Sequence, residues 1–272
     1  MALALVAAGV ACSPAPEAEL VSAPATTTTA PVDPAIEDLM NGSGLTTVGR
    51  RLFLAARPVL QDPAELARDC ARPDTTSEPG GTHTYGCVVR GQIHVRTFAS
   101  PEVRDLSYVV AAHELLHVVY AQLPPSQRVR LNDDLTTARS GNDRLEERLR
   151  VYAETADDTP NEVHSVLGTE FGTVSPGLEA HFSLYFDRAV VLAAFRSTLG
   201  DREDELHRLE AQINEMDTRL KQTAARLDTL RNTNVNAYNA GVAEYNALVR
   251  QHNATIRRYN NLLAEYKKLT GS

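Results

Sequence analysis

The amino-acid sequence predicts an α+β protein that is mainly helical: a small β-sheet over two site-bearing helices, then a C-terminal antiparallel coiled-coil hairpin. Three patterns carry this reading. A helix-length apolar stretch runs from Tyr108 to Ala121 with Glu114 as its one carboxylate and no Lys or Arg. Ahead of it, Ile93, Val95 and Thr97 alternate with His94, Arg96 and Phe98 at the two-residue period of a strand. Beyond residue 200, apolar residues recur at alternating spacings of three and four, the seam of packed helices.

In chain order, Met1 to Ala11 is a short apolar run, too short to span a bilayer. It ends in Gly9-Val10-Ala11-Cys12, which resembles the lipobox of bacterial lipoprotein signals. That resemblance implies export, with Cys12 lipid-anchored to the membrane; cleavage as a plain secretory signal is the alternative. Residues 13–35, rich in Pro, Ala and Thr, read as a disordered tether. Residues 36–199 carry globular patterning. Arg50–Pro58 and Pro63–Cys70 are expected as short helices. Thr84–Arg90 and Gln92–Phe98, hinged at Gly91, are expected as a β-hairpin.

A long helix over about 102–123 should stop at Pro124-Pro125. Two more follow, over about 126–138 and 142–156. Thr159-Pro160 opens a short helix to about Gly168, with Thr as cap and Pro at its first position. A further helix from about Pro176 should carry His181, Tyr185, Phe186 and Val190. In residues 200–272 the first seam is Leu206, Leu209, Ile213, Met216, Leu220, Leu227 and Leu230. After Asn232-Thr233-Asn234 a second begins: Tyr238, Val242, Tyr245, Val249, His252, Ile256, Tyr259, Leu263 and Tyr266. Asn239, Asn246, Asn253 and Asn260 repeat every seven beside it. The break favours a folded-back hairpin over a continuous dimerising rod, and the seam offers a surface for a protein partner.

The net charge of −8 and the lack of a basic cluster argue against a nucleic-acid partner. In an exported chain Cys70 and Cys87 are expected to pair as a disulfide, because the Pro- and Gly-rich loop between them has little core of its own. A thiol pair on zinc would want a CxxC spacing, which is absent.

The chemistry concentrates at His113-Glu114-Leu115-Leu116-His117. Two histidines four apart on a helix share a face and can reach one zinc ion; Glu114 beside them can take a proton from water without being a ligand. Val110, Ala111, Ala112, Val118 and Val119 supply the uncharged flanks that such motifs carry in zinc peptidases. Catalytic zinc wants a third ligand. The metzincin continuation is absent, since Tyr120 and Leu123 stand where it needs Gly and His. Glu162, within Asn161-Glu162-Val163-His164-Ser165, is the leading candidate, with Glu170 and His164 as alternatives.

The Asn-Glu-x-x-Ser stretch resembles that of thermolysin-type gluzincins, in which the Glu, on a second helix, completes a His-His-Glu site. The match departs at Val166, where that family has an Asp that orients the first histidine. More broadly, residues 45–195 resemble an uncharacterised bacterial family of cell-surface metallopeptidases. The elements in common are the Cys-containing hairpin, the motif helix, the block Glu162–Glu170 and Tyr185-Phe186-Asp187-Arg188. The broader resemblance supports one Zn²⁺; the gluzincin resemblance implies a peptide or protein substrate. It also implies an edge strand that pairs with extended substrate, for which Gln92, Ile93, His94, Val95 and Arg96 are the candidates. A donor to the developing oxyanion would come from Tyr120, His164, His181 or Tyr185. The expected function is therefore a tethered or secreted zinc peptidase of the cell envelope. The alternative is a non-catalytic envelope scaffold on a degenerate peptidase fold, working through its coiled coil.

Overall fold

A computed structural model of the chain describes residues 31–70, 85–98, 100–152 and 159–270. The signal-like start, the lipobox-like Cys12, most of the tether and the loop 71–84 lie outside the described residues.

The expected class holds: among the described residues the chain is mainly helical, with one three-stranded sheet and two long C-terminal helices. The first helix was not foreseen. α1 (Pro34–Gly42) begins at the end of the tether, where Asp33 accepts from Ala35 N–H and Pro34 takes the first turn. α2 (Thr47–Ala55) is capped by Thr46. α3 (Pro63–Asp69) has a reciprocal capping box between Asp62 and Glu65.

The sheet consists of β1 (Val59–Gln61), β2 (Gly86–Val89) and β3 (Gln92–Arg96) in the order β1-β3-β2. β2 and β3 form the expected antiparallel hairpin, with Cys87 opposite His94. β1 carries too few residues to show a period, and it pairs parallel to β3. This corrects the reading of β3 as a free edge for substrate: it is the central strand, bonded on both sides. Ile93 and Val95 point into the core. A Cys70–Cys87 disulfide, Cα–Cα 6.0 Å, joins the end of α3 to β2.

After a 3₁₀ turn (Pro101–Val103), α4 (Leu106–Gln122) runs through the centre of the core. Its residues are apolar all round, so it has no face that prefers water, and nearly every side chain is buried. Around it lie α5 (Pro125–Arg139), α6 (Asp143–Tyr152) and α7 (Thr159–Thr169). α7 packs along α4. Gly168 permits this approach, because a Cβ there would sit 2.4 Å from the Leu116 side chain.

The single helix expected from Pro176 is two: α8 (Pro176–Phe182) and α9 (Arg188–Phe195). The chain between them is drawn off to pair with the N-terminal segment. Leu45 bridges Phe186, Thr46 N–H donates to Tyr185, and Asp187 N–H donates to Gly44. Asp187 then caps the new helix.

A π-helical turn (Arg196–Gly200) leads from α9 into α10 (Asp201–Leu230) without a linker. α11 (Val235–Thr270) folds back on it, started by Asn234, which accepts from Ala237 N–H. The cross-pairs Arg226–Glu244, His252–Asp217 and Arg258–Glu205 fix an antiparallel register. Leu209, Met216 and Leu248 are fully buried in the seam. Tyr245, Val249 and Ile256 are half-buried, as two helices alone leave them.

Candidate metal centre

The site is built where α4 and α7 lie side by side. On α4, one turn apart, His113 and His117 present their rings with centroids 4.9 Å apart. Ligand atoms of His113, Glu114 and His117 lie within 4.8 Å of one another, a group that could hold a metal ion. From α7, Glu162 meets both histidines. Its Oε1 is 3.2 Å from His113 Nε2, and its Oε2 is 3.6 Å from His117 Nε2. Glu162 Oε1 nevertheless makes no aligned hydrogen bond and is buried.

The far nitrogens of both rings are also met from α7. Ser165 Oγ is 3.3 Å from His117 Nδ1, and Thr169 Oγ1 is 3.5 Å from His113 Nδ1. Each hydroxyl donates its own proton one turn back along α7, Ser165 to the carbonyl of Asn161 and Thr169 to that of Ser165. Toward the rings they therefore offer lone pairs. This arrangement goes with a proton on each Nδ1 and a bare Nε2 on each ring. Glu162, Ser165 and Thr169 share one face of α7 at helical spacing. Thr169 thus takes up the His113 contact that the sequence left unassigned at Val166, which instead lies in the core.

Glu114 is 5% exposed, and its Oε2 has no hydrogen-bond partner. Over it lies the backbone of β2. A Cβ at Gly86 would be 2.7 Å from Glu114 Oε1 and 2.6 Å from Val110, so only glycine leaves room. Burial pushes the Glu114 carboxyl up to about 8, against the pull of His113. Burial pulls His113 down, but Glu162, Glu114 and Glu170 outweigh it and push it up to about 9. Burial would raise Glu162; the close contact with His113 and the charges of His113, His117 and Arg148 hold it below the usual range instead.

The other candidates sit elsewhere. Glu170 is ion-paired with Arg148 on α6. His164 points away from Glu162 into an aromatic nest of Tyr120 and Phe182, where its Nε2 meets His181 Nε2 at 2.9 Å. Burial holds both of these histidines below the ordinary imidazole range, His181 at about 4. Tyr185 packs edge-on to His181, and burial raises its phenol to about 12. Tyr120 donates its hydroxyl to Asn132 on α5. His94 bonds Gln61 on the sheet face toward α3. Among the described residues the free edge of the sheet beside the centre is β2, not β3.

Two contributors, Arg188 and Thr169, lie in sequence blocks quoted above but were given no role there. Arg188, 3% exposed, donates to the carbonyls of Leu167, Phe171 and Gly172 and pairs with Glu179. It thereby closes the C-terminal end of α7. Thr169 stands after Val166-Leu167-Gly168, and nothing local marks its hydroxyl as a partner for His113. Comparison with known proteins finds no match to this chain, whether among family models, curated proteins or solved structures.

Proposed function

We propose that the chain is a zinc-dependent peptidase, with His113, His117 and Glu162 as ligands and Glu114 as general base and acid. The observation that carries this reading is the meeting of Glu162 with both Nε2 atoms. Ligands bound tetrahedrally to zinc at its usual bond lengths stand about 3.3 Å apart, and the two contacts here are 3.2 and 3.6 Å. The donor set is two neutral imidazoles and one carboxylate. That set suits zinc and leaves its fourth position open, as in catalytic rather than structural sites. When bound, zinc supplies Lewis-acid polarisation of a substrate carbonyl and makes water acidic near neutral pH.

The chain's own residues supply the rest. Glu114 is left out of the proposed ligand set; beside both histidines and with an unsatisfied buried oxygen, it is the group that takes a proton from water and then returns it. Ser165 and Thr169 hold the ring tautomers. β2 presents backbone beside Glu114 and has no strand on its outer side among the described residues, so an extended peptide would add there. The disulfide, together with the signal-like start, supports work outside the cytoplasm, tethered through Cys12 or secreted. No described helix is long and apolar enough to cross a membrane.

The test is metal content by mass spectrometry, paired with hydrolysis of a denatured-protein substrate. One zinc per chain is expected in the parent protein and in Glu114→Gln, and none in Glu162→Ala. Activity should fall about 10²–10⁴-fold in Glu114→Gln. A parent protein that takes up no zinc when it is supplied, or a Glu162→Ala variant that keeps it, overturns the reading.

A further inference from the structure

The hairpin is not a free appendage, because its root reaches the helix that carries the third ligand. Arg148 on α6 lies between two carboxylates. Its Nε pairs with Glu170, the residue next to Thr169 at the end of α7. Its Nη1 is 3.3 Å from Glu203 Oε1 in the first turn of α10. That same Glu203 oxygen accepts the hydroxyl of Tyr266, from the last turns of α11, at 2.7 Å. All three charged groups are largely shielded, with side-chain exposures of 19% for Arg148, 5% for Glu170 and 16% for Glu203. Such pairs hold geometry better than exposed ones and tolerate the loss of one partner poorly. Tyr266 also packs on the core of the domain.

The network ends one residue from the hydroxyl that meets His113. Four elements thus meet around a single guanidinium: α6 carries it, Glu170 after α7 and Glu203 of α10 pair with it, and Tyr266 of α11 holds Glu203.

We propose that Arg148 is a positioning residue for the metal centre and that the C-terminal hairpin is a working part of that centre, because Glu203 and Tyr266 hold Arg148 against the end of α7. This rests on the metal-site reading above. The guanidinium fixes the last turn of α7, and with it the depth at which Thr169, Ser165 and Glu162 meet the two rings. Lysine could pair with one carboxylate but could not bridge two with a planar fork.

The test is zinc affinity of the full chain, measured by competition with a chromophoric chelator, together with the visible spectrum of the cobalt-loaded protein at saturation. The spectrum reports ligand geometry, which a loss of stability alone does not move. Arg148→Ala should weaken zinc about 10–100-fold, the range for residues that orient ligands, and alter the cobalt bands. Arg148→Lys should recover part of the affinity. Glu203→Gln and Tyr266→Phe, which keep shape, should weaken zinc in the same direction by less. Parent affinity and parent spectrum in Arg148→Ala overturn the proposal and leave the metal-site reading standing. If Arg148→Ala does not fold, parent behaviour in both Glu203→Gln and Tyr266→Phe overturns it equally. A parent protein that binds neither ion removes both readings together.

Discussion

At the scale of single residues, the centre depends on groups that do not touch the metal. Ser165 and Thr169 each spend a proton on the α7 backbone and so can only accept from the histidines. Removing the oxygen frees the ring to rotate or to change tautomer. Thr169→Val keeps the shape of the buried side chain and deletes that acceptor. Zinc affinity should then fall about 10–100-fold, with little change in thermal stability of the metal-free protein. Ser165→Ala should act alike through His117. Chelator competition on the two variants checks this, and unchanged affinity in both would show that the hydroxyls are packing groups alone.

At the scale of elements, α7 is held at both ends of the site. Arg148 lies on one side of its last turn, and Arg188 gathers the carbonyls just beyond. Arg188 is a buried cation with five acceptors around it, the carbonyls of Leu167, Gly168, Phe171 and Gly172 and the half-exposed Glu179, so truncation strands the carbonyls. Arg188→Ala should lower stability by about 3–5 kcal/mol, read from the midpoint of urea unfolding; a shift near zero would mean water replaces it freely. Most elements here were legible in the sequence. The apolar run 108–121 could only be a central helix, and the heptads with their Asn-rich break could only fold back or dimerise. The motif gave His113, Glu114 and His117 directly, and Asn161-Glu162 pointed to α7. What stayed hidden was pairing at a distance. β1 is three residues long, so no periodicity betrays it, yet it turns β3 from an edge into the centre of the sheet. The break between α8 and α9 is likewise set by the remote Leu45–Phe186 bridge rather than by any local breaker.

At the scale of the whole molecule, the metal-free protein buries two groups whose titration opposes folding as pH rises. His113 goes from an ordinary value of 6.5 to about 9 on folding, and Glu114 from 4.5 to about 8. For both, the folded pKa lies above the unfolded one. Each therefore contributes stability that is full below its unfolded pKa and is lost as pH rises through its folded pKa. Between about pH 6.5 and 8 both losses run together, because the native state holds protons that the unfolded chain has released. Glu162 acts in the opposite sense, since its lowered pKa withdraws stability only in acid. The melting temperature of the metal-free protein should thus decline from pH 6.5 to 8.5. Zinc should reverse this trend, because the ion needs His113 without its Nε2 proton and competes better as protons become scarce. The gap between zinc-loaded and metal-free melting temperatures should widen across the same interval, with proton release visible as a buffer-dependent heat of binding. A gap that narrows with pH, or a metal-free protein that gains stability toward pH 8.5, would mean that the His113–Glu162 contact is not what holds the empty centre together.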